Sequence, residues 1–228
     1  MSRGLFVTAT DTDAGKTHVA AALLRALAAA GVRAVAMKPV AAGVDRATGS
    51  NADVAVLMAA AGVAAPLDEI NPYLFDPPIA PHVAAALAGR AIDLATIADR
   101  YAKLAARAQV VVVEGAGGAL VPLSPVTDML DIPARLGLPV LLVVGVRLGC
   151  INHAVLSALA IRARGLELTG WIANRIDPAM AHADHSVSAI AERLGRPPAA
   201  DIAFAQRDVD AAALTALGLW PLPVVRGA

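Results

Sequence analysis

Short, unbroken apolar runs recur along this chain, and they constrain its fold more than any other feature. They cover Leu5 to Thr8, Arg33 to Met37, Gln109 to Val113, Val140 to Gly145, Leu168 to Ala173 and Ala199 to Ile202. A strand with one wet face alternates apolar and polar residues, whereas a strand covered on both faces stays apolar throughout. These runs therefore predict a mostly parallel sheet sandwiched by helices. Ala/Leu-rich stretches supply the helices at His18 to Ala30, Asp53 to Ala61, Asp93 to Ala108, His153 to Arg164 and Ala183 to Leu194. Gly31, Gly62, Gly165 and Gly195 are placed to stop four of them. The alternation predicts one α/β, three-layer, doubly wound domain over residues 1–228. Ala65 to Pro81 interrupts it with Pro66, Pro72, Pro77, Pro78 and Pro81, and is expected to be an ordered excursion or a lid without elements of its own.

With 57% hydrophobic and only 17% charged residues, the chain raises the question of a membrane. The longest strongly apolar stretch, Val140 to Val144, falls far short of the ~20 residues of a spanning helix. Alanine accounts for much of the excess, and alanine contributes helix propensity more than burial. Disorder is excluded, because it requires low hydrophobicity and high net charge. Nineteen basic residues balance nineteen acidic ones. No field is left to attract nucleic acid or an anionic membrane, and small molecules or a second copy are the expected partners. The single Cys150 rules out an internal disulfide, and Met1-Ser2-Arg3 leads into Leu5 without a signal-like segment, so the expected location is cytoplasmic.

In an open parallel sheet, ligands sit beyond the carboxyl ends of the strands, and that is where this sequence carries its chemistry. After the first run comes Thr8-Ala9-Thr10-Asp11-Thr12-Asp13-Ala14-Gly15-Lys16-Thr17. Gly-Lys-Thr between a strand and a helix is the working end of a P-loop: backbone N–H groups cradle phosphates, Lys16 reaches the β/γ-phosphates and Thr17 ligates Mg²⁺. Thr10 stands where the strict motif has its first glycine.

Mg²⁺ takes oxygen ligands, often one or two carboxylates. Glu114 fits, since it ends a valine run and precedes Gly115-Ala116-Gly117-Gly118; the other reading is a solvated strand end. Asp53 is open between metal ligand and part of a helix N-cap in Ser50-Asn51-Ala52-Asp53. Lys38 follows a strand and precedes Pro39, which directs it to the ligand edge unless it is only a surface lysine. A second lysine beside the first suggests phosphoryl transfer in addition to nucleotide binding. His182 and His185 read as a solvated helix face, and Cys150 as a packed residue.

Taken together these motifs resemble the dethiobiotin synthetases, within the P-loop NTPase superfamily. The matching stretches are Phe6-Val7-Thr8 with Thr10-Asp11-Thr12 and Gly15-Lys16-Thr17, then Lys38-Pro39-Val40-Ala41, Asn71-Pro72-Tyr73 and Val113-Glu114-Gly115-Ala116-Gly117-Gly118. Val144-Gly145-Val146, Leu148-Gly149-Cys150-Ile151-Asn152-His153-Ala154, Gly170-Trp171 and Ala173-Asn174 complete them. The resemblance implies a homodimeric ATP-dependent ligase. It would use Mg²⁺, ATP and CO₂ or bicarbonate to close the cyclic urea of dethiobiotin on 7,8-diaminopelargonate (7,8-diaminononanoate), through a carbamate and a carbamic-phosphoric anhydride.

The roles it implies fall on particular residues. Thr12, Asp13, Ala14, Gly15, Lys16, Thr17 and His18 would hold the ATP phosphates. Thr17, Asp53 and Glu114 would surround Mg²⁺, and Lys38 with Lys16 would be catalytic. Glu114, Gly115, Ala116 and Gly117 would line the nucleotide and substrate cleft. Asn174 and Arg175, with Ile202, Ala203, Phe204 and Asp210, would flank the adenine. Lys38, Ala42 and the run Gly149, Cys150, Ile151, Asn152 and His153 would meet the substrate, the run through its carboxylate.

Four positions depart from the family pattern: Ala9 for a glycine, Asp13 for a glutamate, Ala42 for a serine and His185 for a tyrosine that reaches the partner's carboxylate site. The alternative is a partition- or positioning-type P-loop ATPase, a switch whose output is conformational. Its extra early lysine is missing from Thr10 to Ala14. A cobyrinate-type amidase would need a glutamine-hydrolysing domain for which the chain has no room. An inactive scaffold is opposed by Lys16, Thr17, Lys38, Asp53 and Glu114.

Overall fold

Every apolar run of the sequence forms a strand of one sheet. The computed structural model describes residues 2–45 and 48–221. Its elements are β1 (Arg3–Ala9), α1 (Lys16–Ala29), β2 (Ala34–Met37), β3 (Val40–Ala42), α2 (Ala52–Ala60), α3 (Leu67–Ile70), β4 (Tyr73–Phe75) and α4 (Pro81–Leu87), followed by α5 (Leu94–Arg107) and β5 (Val110–Glu114). The chain continues through α6 (Asp131–Leu136), β6 (Val140–Gly145), α7 (Cys150–Ala163), β7 (Leu168–Asn174), α8 (Ala183–Leu194), β8 (Ala200–Ile202) and α9 (Ala211–Ala216). Six strands pair in the order β2-β5-β1-β6-β7-β8, all parallel.

The strands are apolar throughout because alternate residues enter two separate cores. On β5, Val110 and Val112 face one core while Val111 and Val113 face the other; on β6, Leu141 and Val143 part in the same way from Leu142 and Val144. The first core is closed by α1, α2 and α9, with Val19, Leu23, Leu24, Leu27, Leu57 and Leu214. The second is closed by α5 to α8, with Ile97, Leu104, Ile132, Ile161 and Ile190. Alanine lets α1 lie close to the sheet: Ala20, Ala21 and Ala22 are all buried. Trp171 is fully buried and its indole N–H donates to the Arg196 carbonyl at 3.0 Å, so no polar atom of that side chain is stranded.

Strand order reverses at β1, which has β5 on one side and β6 on the other. The crevice at such a reversal lies beside the loop after β1, which here is the P-loop.

Two expectations need correction. The Pro-rich segment holds α3 and β4 and ends at the start of α4, and β4 pairs with β3 in a second, two-stranded parallel sheet. Its prolines occupy positions that elements tolerate: Pro66 is the N-cap of α3, Pro72 precedes β4 and Pro81 opens α4. Among the four glycines, Gly31, Gly165 and Gly195 have left-handed backbone, but Gly62 does not and packs close to Ala28 instead.

Candidate active site

The P-loop is shaped at two left-handed residues, Asp13 (φ 60°) and Gly15 (φ 85°). Aspartate tolerates that conformation, but Gly15 is favoured twice over, by its φ and because a Cβ there would lie 2.1 Å from Asn174 Nδ2, which would have to move. Asn174, at the end of β7, donates this amide to the Ala14 carbonyl at 3.0 Å and so braces the loop from the neighbouring strand. Neither Ala9 nor Thr10 has positive φ, so the missing glycines leave no strain. The Thr10 hydroxyl accepts the Gly145 N–H at 3.4 Å. Lys16 is buried and donates to the Asp11 carbonyl at 3.2 Å, while the Asp11 carboxylate accepts the Thr12 N–H and pairs with Arg147.

Facing the loop is a four-residue cluster. Lys38 Nζ lies 2.6 Å from both Glu114 Oε1 and Asp53 Oδ2, and the Thr17 hydroxyl donates to Glu114 Oε1 at 2.8 Å. Lys38 is only 4% exposed and Glu114 0%, so neither is a surface residue. Asp53 is not the helix cap: Asn51 caps α2 with its side-chain oxygen and leaves the Asp53 carboxylate facing the cleft.

Burial pushes the Glu114 carboxyl up, against the pull of Lys38. Burial would also lower the Lys38 ammonium, but Glu114 and Asp53 together outweigh it and hold Lys38 above the ordinary lysine range. Lys16 is lowered, by burial first, with Lys38 adding to it against Glu114. For Asp53, burial is outweighed by Lys38, Thr17 and Lys16, and its carboxyl is lowered.

The donors offered by Thr17, Asp53 and Glu114 are all oxygen, the set a hard divalent cation selects. Glu114 Oε2 is buried without a hydrogen-bond partner, an oxygen that a cation would satisfy. Among the described residues, no three His, Cys, Asp or Glu gather as a zinc-type site would require.

A cleft of about 700 Å³ joins these groups. Thr12, Asp13, Gly15, Lys16, Thr17, Lys38, Ala42, Asp53, Glu114, Ala116 and Gly117 line it. The sequence reading gave no site role to Ala41 or Val121 and saw Pro78 to Pro81 only as part of an excursion or lid, yet these form the apolar part of its wall.

Other expected residues lie elsewhere. Ala14 offers its carbonyl to Asn174, and Gly115 packs under Phe6 and Met129. His18 turns to the Gln206 carbonyl at 2.6 Å. Arg175 is engaged by Asp201 and Asp184, Ile202 is core, and Ala203 and Phe204 are exposed. Asp210 caps α9 by accepting the Ala213 N–H. Gly149, Cys150, Ile151 and Asn152 line a separate hollow of about 430 Å³ with Ser186 and Arg193, and the His153 N–H stays within α7 on the Gly149 carbonyl.

Residues 3–207 match the family model described as an AAA domain. The ATP-dependent dethiobiotin synthetase of Nitrosospira multiformis is 52% identical over 197 residues, covering 86% of each chain. That of Aromatoleum aromaticum is also 52% identical, over 86% of this chain and 88% of its own. The chain belongs to the ATP-dependent dethiobiotin synthetase family.

Membership carries the ATP-dependent ligase class and the P-loop NTPase fold expected from the sequence. Solved structures agree on the fold alone. A ParA family ATPase from Chlorobium tepidum has a TM-score of 0.55 at 16% identity, covering 96% of this chain and 90% of its own. The septum site-determining protein MinD of Pyrococcus horikoshii, solved with Mg-ADP, has 0.56 at 17% identity over 89% and 81%. Identity this low does not favour a partition-type switch over the synthetase family. Among the described residues, no helix is long and apolar enough to cross a membrane.

Proposed function

We propose that this protein closes the cyclic urea of dethiobiotin from 7,8-diaminopelargonate, CO₂ and ATP, releasing ADP and phosphate. The observation that carries the reading is the buried Lys38 ammonium, held between Glu114 and Asp53 in the same cleft as the P-loop Lys16. A second ammonium beside the P-loop lysine is suited to offset charge as a phosphoryl group moves onto an anionic acceptor.

One amine of the substrate adds CO₂ to give a carbamate and loses a proton. The carbamate oxygen takes the γ-phosphoryl group from ATP, giving a mixed anhydride and ADP. The second amine then attacks the carbamate carbon, the C–O bond breaks, and phosphate leaves as the ring closes. Lys38 steers the carbamate and, with Lys16, offsets charge during transfer. Thr12 to Thr17 hold the phosphates. Thr17, Asp53 and Glu114 would hold Mg²⁺, which, when bound, supplies charge neutralisation at the phosphates. The apolar wall of Ala41, Val121 and Pro78 to Pro81 suits the aliphatic chain, and Ala42 offers it no hydroxyl. Asn174, Arg175 and the Ile202 to Phe204 turn would flank the adenine.

Gly149 to His153 do not share the cleft of their own chain. Leu148 is 91% exposed beside them, and Leu156 and Leu159 on α7 are exposed as well. This apolar face supports a homodimer in which the start of α7 takes the substrate carboxylate for the other subunit's cleft.

The test is incubation with ATP, Mg²⁺, bicarbonate and diaminopelargonate, with dethiobiotin followed by mass spectrometry against ADP. One cyclic product per ADP is expected; ATP hydrolysis without it rejects the synthetase reading.

A further inference from the structure

Both backbone groups of Lys38 end on one short stretch of chain. Its N–H donates to the Ile70 carbonyl at 2.8 Å, and its carbonyl accepts the Asn71 side-chain amide at 2.6 Å. The same Nδ2 donates to the Tyr73 carbonyl at 3.2 Å, and Asn71 is buried. No sheet ladder holds Lys38: β2 ends at Met37, β3 starts at Val40, and Pro39 between them has no N–H. Asn71 stands on a segment itself tied down, because Glu69 of α3 is buried in a two-point pair with Arg107.

Asp53, at the other end of the Lys38 contact, is held in a similar way. Asn51 Oδ1 accepts the Asp53 and Val54 N–H groups at 3.1 and 3.3 Å, and its Nδ2 donates to the Gly43 and Ala42 carbonyls at 2.8 and 3.3 Å. Two buried asparagines therefore fix the backbone from which the lysine and the carboxylate reach each other.

The geometry points to Asn71 as a positioning residue, whose amide sets the Lys38 main chain so that the ammonium stands between Glu114 and Asp53. The amide nitrogen carries two donors and so meets both carbonyls at once. Aspartate would turn acceptors toward both, and a hydroxyl could serve one. The inference rests on the proposed catalytic role of Lys38.

The test is a double-mutant cycle in the full chain. Asn71→Ser and Asn71→Asp are made alone and in a Lys38→Ala background. The readouts are kcat for dethiobiotin and Kd for a fluorescent ATP analogue. Asn71→Asp is expected to lower kcat by about 10- to 100-fold and Asn71→Ser by less, with nucleotide Kd unchanged. In the Lys38→Ala background neither should lower turnover further.

Additive losses, or a rise in Kd matching the fall in kcat, overturn the inference. So does failure of both variants to fold, which would make Asn71 structural; if only Asn71→Asp unfolds, Asn71→Ser carries the cycle. Should the wild type make no dethiobiotin, the synthetase reading falls and the inference falls with it. If the wild type is active and the losses are additive, only the inference falls.

Discussion

The two walls of the cleft are built by different means. The phosphate wall is shaped by backbone: a left-handed Asp13 and Gly15, a helix N-terminus, and an asparagine packed where a Cβ would be. The opposite wall is shaped by side chains, a buried lysine and two carboxylates, with the main chains of Lys38 and Asp53 pinned by Asn71 and Asn51. On the proposed reading, the backbone wall takes the triphosphate and the side-chain wall carries the chemistry. Substitutions on the first wall should therefore act on nucleotide affinity, and those on the second on turnover.

The largest effect is expected at the two lysines. Lys38→Ala should lower kcat by about 10²- to 10³-fold while a fluorescent ATP analogue binds as before. Lys16→Ala should weaken that binding as well, and equal losses of affinity in the two variants would erase the distinction between the walls.

Gly15→Ala comes next. Left-handed backbone at a residue with a Cβ costs about 1–3 kcal/mol, so nucleotide affinity should fall by about 5- to 160-fold if that cost is borne in the bound loop. Adding Asn174→Ala should recover part of it by removing the clash; no recovery would mean that φ alone sets the cost. Arg107→Ala should cost about 1 kcal/mol of stability in a denaturant titration, a modest loss because the arginine is half exposed while Glu69 is buried. Smallest is Thr10→Gly. It restores the strict motif at a position that needs no glycine, and should move the melting temperature by less than about 4 °C without tightening nucleotide binding.

The same contrast explains what could be read from sequence. Strands buried on both faces announce themselves as apolar runs, so all six of the main sheet were legible to within a residue or two. Gly-Lys-Thr was legible as a motif between a strand and a helix, and Lys38 and Glu114 because they follow such runs. The starts of α1 and α7 lie earlier than expected, at Lys16 and Cys150, because Lys16-Thr17 and Cys150-Ile151-Asn152 do not extend the Ala/Leu-rich pattern that marks the rest of each helix. The elements α3, β4 and α4 were hidden because proline was read as a breaker where it serves as cap or first residue. Asn71 was visible within Asn71-Pro72-Tyr73 but without a role, since nothing local shows that its amide meets the carbonyl of Lys38. Asn174 was expected beside the base for its hydrogen-bonding edge; that its amide also braces the P-loop was not legible. Its partner, Ala14, lies far away in the chain.

The account stands or falls on whether the lysine wall drives urea formation. The most direct measurement supplies ¹³C-bicarbonate with ATP, Mg²⁺ and diaminopelargonate to the wild type and to Lys38→Ala, and follows label into dethiobiotin. The prediction is labelled product matching ADP in the wild type and a trace in the variant, although both bind nucleotide. Labelled dethiobiotin at wild-type rate from Lys38→Ala would contradict it.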